Sequence, residues 1–165
     1  MLNLSMITCY VLMFLSFAGI LVNGLQGFFQ FNIYNANHIA FAFVSTILYM
    51  FTQTLIMFYF IGAGKKIKET IISYNLDKKN YQEVIDIKMK LFPPLTLNML
   101  FVGTAFVLGG GVHTGAISTI WHSGLFFLSL LHYLKVIIIQ HKSFVKNSYI
   151  LSIVGKEVGE KINKN

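Results

Sequence analysis

The chain has 165 residues, 55% hydrophobic and only 12% charged, with a mean hydropathy of +0.65 and a net charge of +7. Ordinary soluble domains carry roughly 25% charge, so this composition argues against a soluble globular enzyme. The distribution decides the matter: no Asp, Glu, Lys or Arg precedes Lys65, and none occurs between Leu91 and Leu134.

A charged side chain at the centre of a bilayer costs about 3 kcal/mol or more, and a span needs about 20 apolar residues. Each charge-free block has room for two spans and a turn. The expected fold is therefore an all-α integral membrane protein of four transmembrane helices, two hairpins in a bundle, forming a single domain over 1–165. The spans fall at about 5–29, 38–62, 91–111 and 117–139. A cytoplasmic connecting segment, 65–90, joins the hairpins, and a cytoplasmic tail follows at 142–165. Met1 lacks the basic region that opens a cleaved signal peptide.

All thirteen basic residues are lysine, and all but Lys135 lie in the connecting segment or the tail. That asymmetry is the positive-inside pattern. It places the segment and both termini in the cytoplasm, in a multi-pass protein of the cell's inner membrane. The links 30–37 and 110–118 then face outward. Lysines of this kind need no nucleic-acid partner, because no aromatic-interleaved platform accompanies them. Cys9 is the single cysteine, which excludes a disulfide framework and any cysteine-ligated zinc or iron–sulfur site.

In chain order, the first span carries Ser16, Gly19, Asn23, Gly27 and Gln30 on one stripe. The ordinary account of such a stripe is a packing seam between membrane helices. The second span shows His38, Ala42, Ser45, Tyr49 and Thr52 on one face, with Gln53 at its edge and Phe43, Phe51 and Phe58 on the lipid side. Its Gly62-Ala-Gly-Lys-Lys end lacks the spacing of a phosphate loop. The connecting segment reads as two short amphipathic helices flanking a turn at 75–80. The third span is expected to open at Pro93-Pro94 and to stop at Gly109-Gly110-Gly111. The fourth starts from an N-cap at Ser118 or Thr119 and sets Trp121 at the outer interface. No repeat of 20–50 residues is evident, although the hairpins match in size.

The five histidines carry the chemistry. His38 and His122 open facing spans, and His113 lies in the outer link, so topology gathers three imidazoles in one outward layer. Such a layer suits a transition metal, and two opposed imidazoles suit haem b. His38, His122 and His113 are thus the candidate ligands. Ser45, Asn23, Tyr49, Ser129 and Tyr133 are candidate supporting groups, and His132 and Gln53 are weaker candidates. A ligating histidine needs an acceptor for its second ring nitrogen, for which Ser45, Asn23, Thr114 or a carbonyl of the glycine run is placed. The competing account is a set of solvated interfacial histidines. His141, beside Lys142, has no role beyond the inner interface.

No carboxylate lies in either charge-free block, so carboxylate acid–base chemistry and carboxylate di-iron sites are not expected. The expected function is a small membrane subunit holding haem b or a metal and transferring electrons within a larger membrane complex. In general style the pattern resembles the small haem-b-carrying anchors of respiratory complexes, although no motif carries residues over. The alternatives are a cofactor-free accessory subunit and a small oligomeric pore lined by polar stripes. Expected partners are the bilayer and either other membrane subunits or further copies of the chain.

Overall fold

The computed structural model describes residues 4–33 and 35–163; Tyr34, the first three residues and the last two, Lys164 among them, lie outside the described residues. Four helices follow in order: α1 (Leu4–Phe29), α2 (His38–Ser73), α3 (Lys79–His113) and α4 (Thr119–Ile162). Each contains a stretch long and apolar enough to cross a membrane. The chain is an all-α four-helix membrane bundle.

The interior follows a 3–4 spacing of buried positions. On α1 these are Met6, Cys9, Met13, Ser16 and Ile20; on α4 they run from Ser129 and Tyr133 through Val136 and Gln140 to Asn147, Ile150 and Val154. A period of 3.5 keeps one seam of each helix facing its partners along its whole length. The opposite faces leave Phe14, Phe43, Phe51, Phe58, Leu100 and Leu131 more than half exposed, as side chains in contact with lipid tails would be. Consecutive helices pack along their length, while α1 meets α4 through larger side chains, including Tyr10 on Phe144 and Phe28 on Phe127.

The inner helix ends differ from the sequence expectation. The two short amphipathic helices are continuous extensions of α2 and α3, and the tail up to Ile162 is nearly the whole second half of α4. Charge marks where lipid ends, not where a helix must end. At 1.5 Å per residue α4 is about 66 Å long, against a hydrocarbon core of about 30 Å. The extensions form a three-helix stalk with a small core of Ile67, Ile71, Val84, Ile87, Ile150 and Val154. Asn80 donates to Glu157 at 3.2 Å, Lys146 pairs with Glu83 at 3.1 Å, and Lys161 Nζ donates to the carbonyls of Tyr74 and Asn75, at the end of α2 and just beyond it. Partial burial beside Gly64 of α2 also pushes the Lys88 ammonium below the ordinary lysine range.

Pro93 and Pro94 stand inside α3 and do not open it. The carbonyls that lose their donors belong to Met89 and Lys90, both exposed at the charged boundary where water and headgroups can replace them. Gly109, Gly110 and Gly111 are helical too, and α3 runs on to His113. Ser118 does cap α4, accepting from the Ile120 N–H. At the outer end of the first hairpin, Gln26 is fully buried and donates to the carbonyls of Phe31 and Ala36, which fixes the link before α2.

Candidate functional site

His38 is the first residue of α2 and follows the N-cap Asn37, whose side chain accepts from the Ala40 N–H. His122 lies one turn inside α4. Their rings face each other edge to face, with centres 6.4 Å apart and planes at 71°. Two imidazoles sharing an ion at metal–nitrogen bonds of about 2.0–2.1 Å hold their centres about 5–6.5 Å apart. The structure brings these two rings together at the outer end of the bundle.

Each ring is seated against a glycine of the preceding helix. A Cβ on Gly27 would lie 3.2 Å from His38 Cε1, and one on Gly109 would lie 3.0 Å from His122 Cε1. Gly109 thus permits close approach of His122 while the glycine run remains helical. His122 Nδ1 lies 2.9 Å from the carbonyl oxygen of Ala105, one turn before Gly109. An Nδ1–H donated there leaves Nε2 with its lone pair free, which is the arrangement a metal-ligating histidine uses. His38 Nδ1 is buried without a hydrogen-bond partner, and so is Asn23 Oδ1.

The pair borders a cavity of about 730 Å³, within the size range of small-molecule and cofactor sites. All four helices line it. Asn23, Ser45 and His113 are in its wall, with Gly109 and Gly110 and the apolar side chains of Val102, Phe106 and Phe126. His113 therefore shares the cavity, but from the last residue of α3 and not from a flexible link. Among the described residues, no formally charged group lines the cavity.

The other candidates are placed elsewhere. Tyr49, Ser129 and Tyr133 lie deeper in the bundle and form a second polar layer. Tyr49 donates to Asn98, whose amide donates to the Ser129 carbonyl at 2.9 Å. Tyr133 and Ser16 share a hydrogen bond of 2.8 Å. Gln53 donates to Tyr133 at 3.3 Å and accepts from Gln140 at 2.6 Å. His132 meets neither Gln53 nor Tyr49; its ring packs on Phe101 at 5.5 Å, because it sits off the seam that carries Tyr133. His141 Nδ1 pairs with the Tyr10 hydroxyl at 2.9 Å near the inner end. Gln26, Gln140 and Asn147 are fully buried polar residues that sequence reading passed over. The seven-residue steps from Tyr133 to Gln140 to Asn147 were the signal that could have found the last two.

Among the described residues, no group of three or more His, Cys, Asp or Glu side chains is arranged to hold a metal ion. No protein-family model, curated protein or solved structure matches the chain.

Proposed function

We propose that this protein is a small multi-span membrane subunit that holds haem b or a transition-metal ion through His38 and His122, with His113 at the rim, and passes electrons within a larger membrane assembly. The observation that carries the reading is the facing of two imidazoles at 6.4 Å on the border of a cofactor-sized cavity. The unpartnered Nδ1 of His38 and the backbone anchor on His122 Nδ1 suit ligation. Bound there, an iron or copper centre would supply one-electron exchange; the chain itself supplies the nitrogens, their orientation and walls free of formal charge. The lysine asymmetry supports the inner membrane as location, with both termini cytoplasmic and the cavity facing outward.

A cofactor-free accessory subunit is the second reading. It is favoured by the tight packing of both rings on glycine, which is also how a plain helix seam is built. The visible spectrum and metal content of the purified protein separate the two. A Soret band that sharpens on reduction, or stoichiometric iron or copper lost in His38→Ala and His122→Ala, supports the first. A colourless, metal-free protein whose His38→Ala variant still assembles with its partners supports the second.

A further inference from the structure

Two sets of side chains repeat in this molecule. His38, Ser45, Tyr49 and Phe60 of α2 stand at the same spacing as His122, Ser129, Tyr133 and Phe144 of α4, His-x6-Ser-x3-Tyr-x10-Phe in each. On the first helix of each hairpin, Ser16 and Gly27 of α1 are spaced as Asn98 and Gly109 of α3.

The environments repeat with the letters. Each histidine rests on its own hairpin's glycine. The Ser45 hydroxyl donates to the Ala42 carbonyl and the Ser129 hydroxyl to the Phe126 carbonyl, three residues back in both cases. Tyr49 bonds Asn98 and Tyr133 bonds Ser16, so each tyrosine reaches the matched position of the other hairpin. The two tyrosine rings themselves meet at 4.9 Å and 85°. Such pairing defines a pseudo-two-fold axis that runs between α2 and α4 along the bundle, relating hairpins of the same orientation in the manner of parallel membrane repeats. His38 and His122 face each other across it.

We propose that the cavity holds a haem whose iron sits near this axis, with His38 and His122 as its two axial ligands and His113 outside the ligand set. This inference rests on the proposed cofactor site and narrows it. The axis supplies two nitrogens and no third: in the register that pairs Gly27 with Gly109, His113 stands opposite Phe31. A protein-bound zinc ion wants three or four protein ligands, whereas a haem iron brings four nitrogens of its own and asks for two. Two axial bonds of about 2 Å put the imidazole centres about 6 Å apart, close to the observed 6.4 Å.

The test is a hemin titration of the purified full chain, read by absorption and by electron paramagnetic resonance, with metal analysis on the protein as isolated. The expected result is one low-spin haem per chain. His38→Ala and His122→Ala should each lose the low-spin signal, and each should regain it with added imidazole. His113→Ala should leave the spectrum unchanged. Imidazole rescue and an unchanged helical circular dichroism spectrum distinguish a lost ligand from a misfolded variant. A low-spin haem that survives either single substitution, or that needs His113, overturns the axial assignment while leaving a cofactor site in place. No hemin binding, with stoichiometric iron or copper in the protein as isolated, overturns the haem and keeps the metal reading. Neither haem nor metal overturns both.

Discussion

The contact between an imidazole and a glycine is the finest feature on which the site depends. In a helix, alanine is normally favoured over glycine by about 0.8–1 kcal/mol. At Gly109 that preference should reverse, because the new Cβ would meet His122 at 3.0 Å while the hydrogen bond to the Ala105 carbonyl of the same helix keeps the ring against α3. Overpacking of this kind costs about 1–3 kcal/mol. Gly109→Ala should therefore lower thermal stability in detergent, and Gly110→Ala, which faces open space, should raise it. In the His122→Ala background the Gly109→Ala penalty should vanish; a penalty that persists would place its cause elsewhere. Deeper in the core, Tyr133→Phe leaves the Gln53 amide without its acceptor and Tyr49→Phe leaves Asn98 Oδ1 without its donor. Hydrogen bonds between membrane helices contribute about 0.6 kcal/mol on average and up to about 1.7. Both substitutions should fall in that interval when unfolding is followed in mixed micelles, and a loss near zero for both would make the polar layer energetically idle.

Helices are the level at which sequence reading was most and least successful. The membrane spans were legible because lipid forbids charge, and the outer starts at His38 and Ser118 because capping chemistry is local. The inner ends were not legible. Lysines at Lys65 and Lys142 signal the headgroup layer, but α2 and α4 continue through it on the strength of stalk contacts such as Ile71, Val84 and Val154, which only the folded chain brings together. The histidine pair was legible from topology, whereas the internal repeat was not. The link between α1 and α2 is two residues shorter, measured from glycine to histidine, than that between α3 and α4, so no single offset aligns the two hairpins. Only residues near the axis are held alike, and lipid-facing positions vary freely among apolar types. Within the stalk, Gly155 is exposed in mid-helix with no neighbour near an added Cβ. Gly155→Ala should stabilise α4 by about 0.8–1 kcal/mol, seen as slower amide exchange from residues near 150–160. Unchanged exchange there would mean that the stalk opens only when the whole bundle does.

At the scale of the whole molecule, the bundle is polarised. One end carries the uncharged cavity and the other the stalk, where Glu83 with Lys146 and Asn80 with Glu157 tie α3 to α4. Membrane insertion keeps lysine-rich segments on the cytoplasmic side, and moving them across would take many charges through a low-dielectric layer at once. The stalk should therefore be cytoplasmic and the histidine cavity outward. Two exposed positions test this: Asn32 in the outer link, at the edge of the cavity, and Lys78 at the tip between α2 and α3. The background is Cys9→Ala, which removes the one native thiol. In intact cells a membrane-impermeant maleimide should label Asn32→Cys and leave Lys78→Cys unmodified until the membrane is permeabilised. The opposite pattern would reverse the topology and turn the cavity toward the cytoplasm, where any electron donor would have to be a cytoplasmic one. Labelling of both positions in intact cells would mean a mixture of orientations, in which the lysine asymmetry does not control insertion.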